Sequence, residues 1–146
     1  MEYFKKGVYK PVNSSKYIGK ADPVYRSSYE LKFFRWADNN KNVIKWGSEA
    51  LKIPYQSPVD GRVHHYYPDN IVRIKEGNKE QDYLIEIKPS TQTQPPKPGK
   101  KSQKRIVYEQ VQFAVNIAKW QAAKNFCDRH KLKFTILTEK DLGITS

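Results

Sequence analysis

Two carboxylates and a lysine are placed to do chemistry in this chain. Asp69 follows Pro68, while Glu86 and Lys88 share the run Leu84-Ile85-Glu86-Ile87-Lys88. A two-residue turn at Gly77-Asn78 would set Glu76 opposite Lys79, Ile74 opposite Gln81, Val72 opposite Tyr83 and Asn70 opposite Ile85. Continued one step further, that register brings Asp69 to face Glu86. Side chains alternate along a strand, so Lys88 shares the face of Glu86. Val72, Ile74, Tyr83, Ile85 and Ile87 form an apolar opposite face, and their burial opposes a one-residue slip. Carboxylates forced together repel, and such a site generally holds a divalent cation; all-oxygen ligands favour magnesium, with manganese as a substitute. An ammonium on the same face can orient a water or neutralise charge on a phosphate. Together these are the parts of metal-assisted phosphodiester hydrolysis.

The elements that must position this set can be read from pattern. Ser27-Ser28-Tyr29-Glu30 has capping-box spacing, and Leu31, Phe34 and Ala37 follow at helical intervals, predicting a helix over residues 28–39. Short strands are expected at residues 43–46 and 53–56, and Asp60-Gly61 reads as a turn leading into a strand at 62–67. Residues 89–105, PSTQTQPPKPGKKSQKR, contain four prolines and no aliphatic side chain larger than proline, and read as a flexible basic loop. Ile106, Val107, Gln110, Val111, Ala114, Ile117, Ala118, Gln121 and Ala122 recur at helical spacing, predicting a long helix over 103–130. A strand at 133–137 follows, and Thr138-Glu139-Lys140-Asp141 looks like the cap of a last short helix. The order predicts an α/β fold with a mixed central sheet flanked by helices.

The motifs resemble the PD-(D/E)xK nuclease superfamily: Tyr67-Pro68-Asp69, then Glu86-Ile87-Lys88 at a strand end, with Glu30 on the preceding helix. Within it the chain is similar to the TnsA-like branch, through Ala118-Lys119-Trp120-Gln121-Ala122-Ala123 on the long helix and Phe134-Thr135-Ile136-Leu137-Thr138 at the closing strand. Length, basicity and the first helix look most like the head completion nucleases of contractile-tailed phages. The resemblance spans residues 27–140 and implies a restriction-endonuclease-like core. It also implies catalytic roles for Glu30, Asp69, Glu86 and Lys88. Asp69 and Glu86 would ligate the metal with the Ile87 carbonyl, and Glu30 would bind a second cation or a metal-bound water. Lys88 is read as a charge-stabilising or water-orienting group.

Charge adds a partner. The 146 residues include 27 Lys plus Arg against 15 Asp plus Glu, a net charge of +12, which draws a chain to polyanions. Residues 27–88, holding the proposed site, carry only +1, whereas the amino-terminal 26 carry +4 and residues 89–105 carry +5. The division expected is a basic amino-terminal arm at 1–26 and one nuclease domain at 27–146. Lys97, Lys100, Lys101, Lys104 and Arg105 present no base-reading pattern, so they are expected to bind double-stranded DNA independently of sequence and in a salt-sensitive way. No apolar run long enough to span a membrane and no secretory signal stretch is present. The lone Cys127 fits a reducing compartment. Host cytoplasm during particle assembly, and the virion itself, are the expected locations, with portal or neck proteins as partners.

Other features read as structural. Glu30 can serve as a cap partner, and His64 and His65 point to opposite strand faces and cannot share a metal. Cys127 with His130 lacks the second pair a zinc site needs. Cys127, Trp36, Trp46 and Trp120 are expected in the core. The alternatives are a transposon-type or junction-resolving endonuclease of the same superfamily, against whose transposase version the lack of an appended domain argues, and a non-catalytic DNA-binding neck protein.

Overall fold

A computed structural model describes residues 6–143. Its strands are β1 (Gly7–Val8), β2 (Val24–Tyr25), β3 (Val43–Ser48), β4 (Ile53–Gln56), β5 (Val63–Tyr66), β6 (Asn70–Glu76), β7 (Lys79–Ile87) and β8 (Lys133–Leu137). The helices are α1 (Ser28–Asn39) and α2 (Gln103–His130). The central sheet runs β3-β6-β7-β8, antiparallel except for the β7–β8 pair. This mixed α/β sheet is the expected class, and both helices begin and end where the sequence places them.

The β6–β7 register is the one set by Gly77-Asn78, with Asn70 opposite Ile85 and Glu76 opposite Lys79. Gly77 holds a φ of 63°, the left-handed value that such a turn requires. Alternation then splits the hairpin between two cores. Val72, Ile85 and Ile87 pack with Phe33, Phe34 and Ala37 of α1 and with Trp46, while Leu84 packs on the other face with Trp120, Ala123 and Cys127 of α2. The β4–β5 ribbon adds Ile53 and Tyr66 to that second core. In β3 a bulge between Val43 and Lys45 shifts the register, which lets Val43 and Trp46 face the same core despite odd spacing.

The sequence expectations need correction in three places, and α2 adds a burial pattern of its own. Trp36 is 42% exposed rather than buried; it lies about 200° around α1 from Phe34, which faces the sheet. Along α2 only Trp120, Ala123 and Cys127 are buried, and Val107, Val111 and Ile117 are exposed. A 28-residue helix is roughly 42 Å long, far more than a five-residue strand can cover, so its first half runs beyond the sheet. Residues 89–105 are not all loop, because Ser90–Thr93 forms a 3-10 turn and α2 already includes Lys104 and Arg105. Among the described residues no helix follows β8: Thr138 and Asp141 close a single turn that ends at Gly143, with φ 70°.

The amino-terminal segment runs over α1 and β3 within residues 6–26. Its main anchor is Asp38, fully buried, whose carboxylate accepts from the Tyr9 hydroxyl (2.5 Å) and from the Val12 and Asn13 N–H groups (2.8 and 2.9 Å). Burial opposes ionisation of Asp38, but these bonds outweigh it and hold its pKa low. Ile18 N–H donates to the Trp46 carbonyl, extending the clasp to β3. Among the described residues no helix is long and apolar enough to cross a membrane.

Candidate active site

Glu86 stands near the end of β7, where the alternation that buries Leu84 turns its carboxylate toward the α2 face. Only 5% of Glu86 is exposed. Its Oε2 accepts from the Tyr66 hydroxyl, and its Oε1 lies 3.8 Å from Lys88 Nζ. Asp69, immediately before β6, accepts from the Ile87 N–H through Oδ2 (2.7 Å). That bond fixes the Asp69 carboxylate beside the strand carrying Glu86 and Lys88, so the three residues singled out in the sequence converge.

The pair is electrostatically unfavourable on its own. Burial, then the charge of Glu86 and that of Glu30, push Asp69 well above the ordinary carboxylate range. Burial also raises Glu86, opposed by the Tyr66 hydroxyl, Lys88 and the Asp69 N–H. Asp69 gives Oδ2 to the Ile87 N–H, while Glu86 gives Oε2 to Tyr66 and turns Oε1 toward Lys88. A divalent cation suits that donor set, since it would neutralise two neighbouring charges that water reaches poorly.

Glu30 takes part less directly. Its N–H donates to Ser27 Oγ (3.1 Å), as the capping motif requires, but its carboxylate accepts from the Arg26 N–H instead of closing the box on Ser27. Burial raises its pKa, opposed by that N–H and by the Arg26 charge, with Glu49 raising it further. Glu30 thus shares the electric field of Asp69 and Lys88. Among the described residues, however, no three His, Cys, Asp or Glu side chains gather closely enough to hold one ion.

Sequence reasoning missed three contributors. Tyr66 supplies the hydroxyl on Glu86. Glu49 sits just past β3 with a φ of 50°, a left-handed conformation costly for a residue with a side chain; it donates its N–H to the Asp69 carbonyl (3.0 Å) and pairs its carboxylate with Arg26. Lys119, on α2, lies over the rings of Tyr55 and Tyr66, 5.9 and 5.8 Å from their centroids. Burial and the charge of Lys88 lower its pKa, while Glu86 and Asp69 act against this. None of these contacts follows a local spacing rule; only the quoted Ala118-Lys119-Trp120 motif drew attention to that stretch.

The basic loop residues divide. Lys97 and Lys101 line a groove between residues 91–101 and α2, together with Lys88 and Lys119. Glu109 engages Lys101 (2.7 Å) and Arg105 (3.0 Å). Lys100 and Lys104 are exposed. The loop starts from a fixed point, because Ser90 donates its N–H to Glu139 (2.9 Å) and its hydroxyl to the same carboxylate (2.5 Å). Both His64 and His65 are surface residues, His64 bonding Asp60 at 2.9 Å, and Cys127 is buried as expected.

Residues 40–139 match the family described as TnsA-like endonuclease N terminal. The chain belongs to the TnsA-like endonuclease family. It is also 40% identical over 141 residues to the head completion nuclease of Enterobacteria phage T4, a match covering 93% of this chain and 92% of that protein. The TnsA-like match includes Asp69, Glu86, Lys88 and Lys119, and starts after Glu30. Asp69, Glu86 and Lys88, with Glu30 outside the match, are thus the candidate active site of a nuclease that the resemblance implies.

Proposed function

We propose that this chain is a magnesium-dependent deoxyribonuclease that hydrolyses phosphodiester bonds of double-stranded DNA without sequence preference. We read it further as a head completion nuclease acting on packaged DNA ends during head-to-tail joining, in the host cytoplasm and on the assembling particle, beside portal or neck proteins. The observation that carries the chemical reading is the Asp69–Glu86 pair, Glu86 buried and Asp69 half-buried, both raised in pKa, with Lys88 Nζ 3.8 Å from Glu86. Asp69 and Glu86 would hold the cation, which supplies Lewis acidity and an acidified water when bound. Manganese, with similar oxygen preference, would substitute.

The chain's own residues then do the rest. Lys88 balances the charge that builds on the phosphate as the water oxygen bonds to phosphorus and the sugar oxygen leaves. Glu30, whose carboxylate accepts from the Arg26 N–H, would bind a second cation or a metal-bound water. Lys97, Lys100, Lys101, Lys104 and Arg105 attract the duplex through its phosphates alone. The 40% identity to a head completion nuclease supports the biological setting.

The test is cleavage of linear and circular DNA with magnesium, manganese or chelator, using wild type and Asp69→Ala, Glu86→Ala and Lys88→Ala. Each substitution should abolish metal-dependent cleavage while salt-sensitive DNA binding persists. Cleavage that survives all three would remove the site assignment. A wild-type protein that binds DNA but fails to cut it under every metal tried would be a structural neck protein.

A further inference from the structure

The catalytic reading uses Lys88 and leaves Lys119 without a role, yet the fold goes to some length to place it. Lys119 precedes Trp120, one of three α2 residues buried against the sheet, so its Cα is fixed by the core. Its side chain is half-buried and lies over Tyr66, whose hydroxyl holds Glu86. Lys119 and Lys88 together close the inner end of the groove between residues 91–101 and α2. That groove, of 660 Å³, falls in the size range of small-molecule sites and can admit a sugar-phosphate segment. No acidic residue pairs with Lys119 among the described salt bridges, whereas Glu109 farther out is already taken by Lys101 and Arg105.

Lys88 stands on the strand and Lys119 on the helix opposite, so a phosphate at the carboxylate pair would meet an ammonium from each side. Resting on the nuclease reading above, we infer that Lys119 is a second phosphate-gripping residue, touching the scissile phosphate from the α2 side of the groove. The competing account is structural: an ammonium over two tyrosine rings contributes cation–π energy and nothing else.

Three variants separate these accounts. Lys119→Met keeps the aliphatic packing and removes the charge, Lys119→Arg keeps the charge, and Glu86→Gln supplies a non-cutting protein for binding work. Expected for Lys119→Met is a fall in kcat of about 10²-fold, the usual size for loss of one preorganised donor. Its KM for duplex DNA should stay within about threefold and its melting temperature unchanged, while Lys119→Arg recovers most of the rate. In Glu86→Gln, a short duplex should protect Lys119 from reductive methylation, read by peptide mass spectrometry, and leave Lys79 on the far hairpin reactive. A Lys119→Met enzyme with wild-type kcat, or a Lys119 that DNA does not protect, overturns the inference. If the wild type cuts no DNA with any metal, the nuclease reading fails, and the protection result alone decides whether Lys119 holds phosphate.

Discussion

Replacing Tyr66 by Phe removes one oxygen atom and isolates what the second core does for the site. Tyr66 is 5% exposed and donates to Glu86, and burial next to that carboxylate pushes its hydroxyl so far up that it stays a donor at every working pH. Phe keeps the ring against Leu84 and Trp120, so the packing is retained and only the hydrogen bond is lost. A hydrogen bond to a charged group contributes about 1.5–3 kcal/mol, and at 1.4 kcal/mol per decade this corresponds to roughly 10- to 150-fold in the affinity of Glu86 for a cation. The sign for protons is fixed as well: the Tyr66 bond lowers the pKa of Glu86, so its loss raises that pKa and moves the acid limb of activity to higher pH. The assay is the initial rate of cleavage of a fluorescent linear duplex, titrated with magnesium at several pH values. Saturating magnesium should restore most of the rate at alkaline pH. A half-saturating magnesium concentration within about twofold of wild type, with an unmoved acid limb, would refute this reasoning.

Two other outcomes follow from the charge layout. Asp69 has a folded-state pKa raised above its unfolded reference of 3.8, so its contribution to stability is greatest below that value and is lost as pH rises through the folded pKa; with chelator present, melting temperature should therefore fall across that window in wild type and much less in Asp69→Asn, and equal slopes for the two proteins would contradict it. The triple change Lys97→Gln, Lys100→Gln and Lys104→Gln should reduce the slope of log affinity against log salt by roughly 2.7, at about 0.9 per phosphate contact, whereas Lys101→Gln, already paired with Glu109, should change it less; fluorescence anisotropy over a salt series reads both, and an unaltered slope for the triple variant would return the segment to linker status.

What was legible in the sequence was local. Gly77-Asn78 dictates its own turn and so the register down to Asn70 opposite Ile85, and Ser27 marks a helix start by a hydroxyl that accepts from Glu30. The bulge in β3 has no such marker, because Ile44 looks like any strand residue until Val43 and Trp46 are seen facing one core. Exposure along α2 depends on where the sheet ends, which periodicity does not encode, so the spacing that predicts the helix does not tell that Val107 and Val111 stay exposed. At the site, Asp69, Glu86 and Lys88 could be aligned because one hairpin carries them. Tyr66 and Lys119 arrive from β5 and α2, and only packing around Leu84 and Trp120 brings them there. Glu49 is harder still, since its left-handed backbone is not a residue type's preference but a position's demand.

The parallel pairing of β7 with β8 sets the point in synthesis at which the strand bearing the site is completed. The strand bearing Glu86 and Lys88 has β6 on one side, but its other side is completed only by Lys133–Leu137, with Lys88 N–H bonded to the Leu137 carbonyl at 3.0 Å. During translation the hairpin emerges some fifty residues before its second neighbour. Until then the catalytic strand is an open edge, with Lys88 unanchored and the support of Trp120 and Cys127 beneath Leu84 not yet made. A chain interrupted before residue 133 therefore holds every proposed active-site side chain but not the strand that closes the sheet beside Glu86.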